Sequence, residues 1–393
     1  MDESYVRELA ERDIDRVSRR MFLARASGAV LAASGGVTLL SGFARSTSRL
    51  AKVGGQLVFV GVDGEDARAI AKPFLQKNHV TLKVTYIADN DTLLTKLRTG
   101  GTHQFDVMTV PKDSAPREMA LGFVQPLALG TPSFGGLFPG LQHAPWIMSG
   151  GTTYGFPLIW GSEPCVYNPK KFSGLPPKYT DFADKKYAHA LTTIDEPYGN
   201  QWLVAKSLGF GKNGNHNELT QDQLNKVRDA WIAIKKNVVS MTAAFGDQTD
   251  LLVRGEASIA LNSWQAVTQF AKAKGVTLKY GTPAVDGTYF WSDSYFIASH
   301  APNPDTARAY ISFMTSPENN ARVADSLQSA CTVAKAVGHL PSNSISRAYD
   351  YSVVKDAQLQ GDIVRTILPP ETNQGSIVGK QAWVKSWEQV KAS

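Results

Sequence analysis

A tryptophan and an aspartate stand two residues apart in the segment YFWSDSYFIAS, which spans residues 289–299. The segment is rich in aromatic and β-branched residues, so we predict a β-strand, and Trp291 and Asp293 then share one face of it. A carboxylate inside such a strand must be paired or solvated, because burying it alone is costly. An indole attracts a cation by about 0.5–2 kcal/mol, and a carboxylate adds a charge-assisted hydrogen bond. The pair therefore predicts a site for a cationic or amine-bearing ligand.

Trp264 is a second indole that we place at the same site. It follows the predicted strand EASIALN (256–262), at a strand-to-helix junction that should open onto a cleft. Two indoles and one carboxylate on converging elements would surround a ligand cation. The alternative is that both tryptophans belong to the core and that Asp293 is bound by a backbone amide or an arginine.

No residue pattern indicates an enzyme. The sequence has no G-x-S-x-G, phosphate-binding loop or G-x-G-x-x-G motif, and its seven histidines lack metal-ligand spacing. Asp195 and Glu196 are adjacent, so on a strand end they would face opposite ways and form no acid/base dyad; the alternative is an acidic helix start before Pro197. We therefore predict a binding protein without catalytic residues, metal or cofactor. The two cysteines, Cys165 and Cys331, either pair or stay as separate buried thiols.

Strands alternate with helices in the first part of the chain. We predict strands over 55–62, 81–88 and 105–111, with helices over 65–78 and 91–100 between them. This alternation is typical of a parallel sheet with helices on both faces, and ligands of such sheets lie beyond the carboxyl ends of the strands. Two segments are therefore expected on one rim: Val62-Asp63-Gly64 and Lys112-Asp113-Ser114.

A second α/β block follows the first. The segment TTYGFPLIWGSEPCVYN (152–168) has two strand-like pieces and indicates a crossing between two lobes. Further strands are predicted over 190–195, 256–262 and 277–285, and a long helix over 221–236. The chain returns through two helices, over 304–315 and 317–327, and ends in a helix over 379–392. A length of 393 residues also favours two domains over one.

The N-terminus carries a targeting pattern. Arg19-Arg20 precede a weakly apolar run over 26–43, which is too short and too rich in Gly and Ser for a membrane span of about 20 strongly apolar residues. We predict a twin-arginine export signal and leader over residues 1–50 and a periplasmic location; the alternative is an amphipathic helix with a chance arginine pair. The net charge of +6 is spread along the chain, which argues against a nucleic-acid surface.

Several segments resemble a known family. FWSDS (290–294), followed by SPE (316–318) and VADSL (323–327), is similar to a segment of periplasmic polyamine-binding proteins, the spermidine/putrescine receptors of ABC importers. TLLTKLRTGGTHQFDVMTVP (92–111) and YGFPLIWGSEPCVYN (154–168) resemble further segments of these proteins, so the likeness covers nearly the whole chain after the leader.

The resemblance implies a two-lobed α/β fold of the periplasmic-binding-protein type II class, each lobe a mixed sheet with flanking helices, joined by a strand hinge. Lobe 1 would comprise 54–160 and 292–335, and lobe 2 would comprise 161–291 and 336–393. It also implies a monomer that closes on a small solute and delivers it to an inner-membrane ABC permease with its ATPase, after export by the twin-arginine translocase. A periplasmic ligand sensor and a periplasmic cofactor enzyme are the alternatives.

The resemblance assigns roles to four residues. Trp264 and Trp291 match aromatic walls of the polyamine site, Asp293 matches the carboxylate that holds a ligand ammonium, and Glu196 falls near another acidic ligand residue. At several other ligand positions of the family, this sequence has different residues. Val62 and Glu65 stand in place of an aromatic pair, and Lys112 and Ser114 stand in place of Ser and Tyr. Ser329 replaces a Tyr, and Gly199 replaces an acidic residue.

These departures favour a different ligand within the same family. Fewer rings and an added lysine favour a smaller or zwitterionic solute, such as an amino acid derivative or aminophosphonate, with its anionic end at Lys112; the alternative is that Lys112 points to solvent. A polyamine remains the ligand that the resemblance itself implies. The predicted ligand-binding residues are Asp63, Lys112, Ser114, Glu196, Trp264, Trp291, Asp293 and Ser329.

Overall fold

The computed structural model describes residues 53–87, 90–128, 134–211, 214–355 and 368–393. The predicted export signal with Arg19-Arg20 lies outside these ranges. Among the described helices, none is long and apolar enough to cross a membrane.

The strands of the described chain form two mixed sheets and a small hairpin. In chain order they are β1 (Gly55–Gly61), β2 (Val80–Tyr86), β3 (Val107–Pro111), β4 (Met148–Ser149), β5 (Thr152–Thr153), β6 (Gly155–Ser162), β7 (Cys165–Tyr167), β8 (Leu191–Ile194), β9 (Val238–Thr242), β10 (Ile259–Ala260), β11 (Lys279–Gly281), β12 (Phe290–Ile297) and β13 (Ala330–Cys331).

The α-helices flank these sheets, and short 3₁₀ turns connect several elements. In chain order the α-helices are α1 (Arg68–Lys77), α2 (Asn90–Arg98), α3 (Ala115–Ala120), α4 (Pro139–Gln142), α5 (Pro197–Ser207), α6 (Gln221–Lys235), α7 (Phe245–Arg254), α8 (Val267–Ala273), α9 (Pro304–Met314), α10 (Pro317–Ser326) and α11 (Lys380–Ala392).

The first lobe contains a six-stranded sheet in the order β13-β6-β12-β3-β1-β2. β1 pairs in parallel with β2 and β3, as the alternation of strands and helices predicts, and β12 is antiparallel to both β3 and β6. The amino end of β12 therefore lies at the same edge as the carboxyl ends of β1 and β3. This arrangement brings the turns after β1 and β3 together with Trp291 and Asp293.

The second lobe contains a five-stranded sheet in the order β11-β7-β10-β8-β9. β8 is parallel to β9 and β10, while β7 is antiparallel to β10 and β11. The last helix, α11, returns to this lobe, where the indoles of Trp231 and Trp387 meet edge to face at 5.2 Å. Each sheet has its own hydrophobic core, so two mixed α/β lobes are present, as predicted.

Two described crossings join the lobes: the short link from β6 to β7, and the segment from β11 to β12. The chain after β13 stays in the first lobe beyond residue 336, where the sequence predicted that it would enter the second lobe. Ala336, Leu340, Tyr349 and Val354 all pack in the core of the first lobe. The residues from 336 to 354 therefore belong with the first sheet, because their apolar side chains are buried there.

Helix α1 begins at Arg68, three residues later than the helix predicted from Glu65. The residues before it form a turn, in which the amide of Glu65 donates to the carbonyl of Val62 at 3.2 Å. Ala67 ends this turn in the left-handed region, with φ 39°, which few non-glycine residues adopt. As a result, Glu65 lies in the turn at the edge of the sheet and not on the helix.

Candidate ligand-binding site

Asp293 lies beside a β-bulge in β12, which is one of the central strands of the first sheet. It faces Pro111 of β3 on one side and Ile159 of β6 on the other, and the pairing with β6 shifts directly after it, so that Ser294 faces Pro157. Proline has no amide hydrogen to give to a neighbouring strand, and such bulges redirect side chains near functional sites. The shift therefore lies directly beside Asp293, towards the inter-lobe edge of the sheet.

Glu65 is the group that meets Asp293. The two carboxyl groups lie within hydrogen-bonding distance of each other. Glu65 is only 3% exposed, and its Oε2 atom has no hydrogen-bond partner among the described residues. Its backbone is held in place because the hydroxyl of Tyr295 donates to the Glu65 carbonyl at 2.8 Å. Glu65 stands where the polyamine-binding proteins have an aromatic residue, and it was not among the predicted site residues.

Burial dominates the ionisation of this pair. It raises the pKa of Glu65 well above its ordinary value, and the charge of Asp293 raises it further. Burial also raises the pKa of Asp293 to about 6; its hydrogen bond with Glu65 opposes this rise, and the charge of Asp113 adds to it. Two carboxyl groups this close titrate as a unit and cannot easily both ionise. The raised pKa of both groups therefore favours a state in which the pair shares one proton and carries one negative charge.

Trp291 lies against the neighbouring strand, on the same face of β12 as Asp293. Its ring covers Gly161 so closely that a Cβ atom added there would lie 2.4 Å from Cζ2 of the indole. Only glycine fits this position without displacing the ring. The Nε1 atom of Trp291 has no partner in the described part of the chain, which leaves a hydrogen-bond donor two residues before Asp293.

Trp264 occupies a different environment, in the second lobe. Its ring packs against Phe245 and Phe270, with centroids 5.9 Å away in both cases. The hydroxyl of Tyr349, from the first lobe, lies near its indole and donates to the Gln328 carbonyl at 2.9 Å, while Nε1 of Trp264 has no hydrogen-bond partner among the described residues. These ring contacts place Trp264 in an aromatic cluster where the lobes meet. This cluster is separate from the position of Trp291, whose ring lies over Gly161.

Glu196 is the N-cap of α5. Its carboxylate accepts hydrogen bonds from the amides of Tyr198, at 2.7 Å, and Gly199. Burial raises its pKa to about 7 against the opposing effect of these bonds, and the charge of Asp113 from the first lobe raises it further. A Cβ atom at residue 199 would lie 2.9 Å from the Glu196 carboxylate and 2.8 Å from the Tyr289 hydroxyl, so this position has no room for a second acid.

Glu163 is a further acidic residue that was not among the predicted site residues. It lies in the link between β6 and β7, and its Oε2 atom has no partner among the described residues. Burial raises its pKa well above the ordinary value, and the charge of Glu196 raises it further. The hinge therefore adds a second pair of interacting carboxyl groups, Glu163 and Glu196, at the boundary between the lobes.

The other predicted residues lie around this edge in varied environments. Lys112 is 6% exposed; its amide donates to the carbonyl of Ser292 at 2.8 Å, and its ammonium charge lowers the pKa of Asp113 against the larger effect of burial. Ser114 is buried at the start of α3 and Ser329 is buried before β13, where its hydroxyl donates to the Leu327 carbonyl. Asp63 is exposed in the turn after β1.

A separate cavity of about 410 Å³ lies beside the hinge. Residues of both crossings line it, together with aromatic side chains, among them Trp160, Tyr280, Tyr289 and Tyr349. Neither Asp293 nor Glu65 is part of its lining. This cavity is therefore distinct from the carboxyl pair.

Ion pairs also connect the lobes. The ammonium of Lys380, at the start of α11, lies 3.1 Å from Asp91 of α2 and 2.8 Å from Glu371. Arg117 of α3 pairs with Glu371 and lies 3.7 Å from Asp91. Both cationic side chains are largely buried. We call Asp91, Arg117, Glu371 and Lys380 the inter-lobe ion cluster.

The sequence matches the family model for bacterial extracellular solute-binding proteins over residues 69–349, which is more than half of the chain. The chain belongs to this family. Its members bind solutes outside the cytoplasm, and a site between two lobes at the edge of a sheet is consistent with that activity.

Solved structures of other solute-binding proteins share the fold. The spermidine/putrescine ABC transporter substrate-binding protein PotD from Streptococcus pneumoniae has a TM-score of 0.66 and 17% identity, covering 86% of this chain and 97% of that chain. The TpPotD lipoprotein of Treponema pallidum has a TM-score of 0.67 and 17% identity, with 85% and 99% covered. AfuA from Actinobacillus pleuropneumoniae, with fructose-6-phosphate bound, has a TM-score of 0.58 and 18% identity, with 86% and 99% covered.

These likenesses confirm the predicted two-lobed periplasmic-binding-protein fold. At such identities they show the fold alone, and the solutes named for two of them, spermidine or putrescine and fructose-6-phosphate, are chemically different. The choice of ligand therefore depends on the residues of this chain.

Proposed function

We propose that this solute-binding protein captures a small amine-bearing solute between its lobes. The observation that supports this most strongly is the carboxyl pair of Glu65 and Asp293 beside the indole of Trp291. The pair carries one negative charge and an oxygen without a partner, and a ligand ammonium would satisfy both. A cation over the indole would gain further attraction.

The balance of charge favours a cation over an anion. The site residues described above contribute the carboxyl groups of Glu65, Asp113, Glu163, Glu196 and Asp293, against the ammonium of Lys112. The charge of Lys112 acts on Asp113, so it has an acidic neighbour within the protein. We therefore rank an amine above an anionic solute, and the spermidine and putrescine named for the similar structure from Streptococcus pneumoniae come first among candidates.

Closure of the two lobes would serve as the signal for transport. A ligand that contacts both lobes favours the closed form, since it gains differential affinity from both sets of contacts. We propose that an inner-membrane ABC permease with its ATPase recognises this form and takes the solute. The role requires no covalent step, and a monomer is sufficient for it.

The periplasm is the proposed site of action. The family is extracellular, and Arg19-Arg20 with the apolar run after them would direct export of the folded protein through the twin-arginine translocase. Mature protein would then meet the permease at the outer face of the inner membrane.

A thermal-shift screen tests the amine proposal. Purified protein is heated with polyamines, amino acids, betaines and aminophosphonates, each at several concentrations. A ligand at 100 times its dissociation constant adds about 2.7 kcal/mol to the free energy of unfolding, which is a readily measured shift. If only anionic solutes raise the melting temperature, the proposal is wrong.

A further inference from the structure

We infer that Glu65 and Asp293 together select a cation with several N–H donors, such as a primary ammonium or a guanidinium, and exchange their shared proton for it. This inference rests on the proposed function and specifies which amines the site accepts. A quaternary ammonium carries the same charge but has no N–H group. It would leave the buried carboxyl oxygens without hydrogen bonds.

The position of Glu65 supports this selection. Its carboxyl group is buried on one side by the sheet, where the hydroxyl of Thr109 lies within hydrogen-bonding reach. Thr109 also accepts the amide of Val62 at 3.4 Å, so this hydroxyl links the turn to β3. The Oε2 atom has no partner among the described residues, and an unsatisfied buried acceptor costs about 1–3 kcal/mol. A ligand N–H donor would remove that cost.

The charges around the Glu65–Asp293 pair favour release of its shared proton when a cation binds. Asp113, from the turn after β3, adds a negative charge near Asp293, and the phenol of Tyr295 on β12 lies near Glu65. Lys112 acts on Asp113. Lys380 and Arg117 also act on Asp113, and a bound ammonium would supply positive charge at the pair itself. The exchange conserves charge: one cation enters the site and about one proton leaves it.

Isothermal titration calorimetry tests both parts of the inference. The probes are 1,4-diaminobutane, spermidine and agmatine, compared with hexamethyl-1,4-butanediammonium, which is quaternary at both ends. We expect at least one primary amine or guanidine to bind, and the quaternary probe to bind about tenfold more weakly or not at all. Repeating the titration at pH 6.5 in buffers of different ionisation enthalpy should show release of up to about one proton per ligand.

Variants separate this inference from the general amine proposal. Glu65→Gln keeps the shape of the side chain; we expect it to lose about tenfold in affinity for the primary amine, to release fewer protons, and to discriminate less against the quaternary probe. Glu256→Gln, on the exposed surface beside Arg254, is the matched control and should bind as the wild type does. A melting curve of each variant shows whether it is folded, and Glu65→Asp replaces Glu65→Gln if the latter is not.

The outcomes are distinguishable. If the wild type binds amines but Glu65→Gln binds them equally well with equal proton release, or if the quaternary probe binds as tightly as the diamine, the inference about Glu65 is overturned and the proposed function stands. If the wild type binds none of the cationic probes, the proposed function fails and the selection fails with it.

Discussion

The ammonium of Lys380 lies 3.1 Å from the carboxylate of Asp91, and this contact joins the last helix of the second lobe to a helix of the first. Lys380 also pairs with Glu371 at 2.8 Å, and its side chain is 10% exposed. Loss of one partner from a partly buried ion pair leaves the other charge unpaired, which costs about 1 kcal/mol or more. The inter-lobe ion cluster therefore stabilises the arrangement in which the lobes approach each other.

We predict that Lys380→Met weakens ligand affinity about fivefold, because the closed form loses about 1 kcal/mol. Small-angle X-ray scattering of the ligand-loaded variant should show a larger radius of gyration than the loaded wild type. The control is Lys391→Met, which removes ion pairs with Asp195 and Glu388 within the second lobe. Equal effects of both substitutions would show that the Lys380 cluster has no special role in closure.

Replacement of Asp293 by asparagine should weaken binding of an amine by about tenfold or more, since a hydrogen bond to a charged group is worth about 1.5–3 kcal/mol. Calorimetric titration of the variant gives the change directly. Asp229→Asn, which removes a surface carboxylate beside Arg228, is the matched control. Unchanged affinity in Asp293→Asn would exclude Asp293 from the site.

The raised pKa of Glu196 predicts a pH dependence of stability in the ligand-free protein. The pKa is about 7 in the folded protein against an ordinary value of 4.5, so the folded state holds this proton more tightly than the unfolded chain does. Its contribution to stability is present below pH 4.5 and is lost as the pH rises to about 7.

The variant Glu196→Gln lacks this titration. Relative to the wild type, its free energy of unfolding should therefore improve by up to about 3 kcal/mol between pH 4.5 and pH 7.5, since one pKa unit corresponds to about 1.4 kcal/mol and the pKa rises from 4.5 to about 7 on folding. Urea unfolding of both proteins at several pH values measures the difference. If the difference in free energy of unfolding between the variant and the wild type is the same at every pH, or if the variant becomes relatively less stable as the pH rises, the raised pKa of Glu196 is contradicted.

The two cysteines should react as separate, protected thiols. Both are free and buried, and burial raises the pKa of each to about 12. Cys165 packs in the second core and Cys331 in the first, which settles the alternative that the sequence left open. A maleimide should label neither in the native protein and both after denaturation without reductant; loss of labelling in the denatured protein would reveal a disulfide.

Exchange of Arg19-Arg20 for two lysines should retain the protein in the cytoplasm, because the twin-arginine translocase recognises the arginine pair. Cell fractionation followed by immunoblotting measures the periplasmic share. Undiminished export of the variant would exclude this route.

The alternating strands and helices were predictable because the residue patterns that indicate them lie within each element. The alternation along β1, α1, β2, α2 and β3 indicates a parallel sheet, and the helix predicted over 221–236 corresponds to α6, where Thr220 accepts from the amide of Gln223 in a capping box. The start of α1 was predicted three residues early. The turn before it depends on a left-handed Ala67, which residue propensities do not favour.

The partner of Asp293 could not be predicted because it depends on strand order. Glu65 reaches Asp293 only since β12 enters the sheet beside β3, with β1 on the other side of β3. Such long-range strand pairing cannot be inferred from the residues near Glu65 or near Asp293. The comparison with polyamine-binding proteins directed attention to Asp293 and Trp291, but it presented Glu65 as the loss of an aromatic ring and gave no role to Glu163.

Our proposal requires that an amine nitrogen binds at the Glu65–Asp293 pair between the lobes. The most direct measurement is a crystal structure with the amine that raises the melting temperature most. We predict a ligand nitrogen within about 3.2 Å of a carboxyl oxygen of Asp293 and of Glu65, with the indole of Trp291 beside it. A ligand bound elsewhere, or a nitrogen that contacts neither carboxyl group, would contradict the claim.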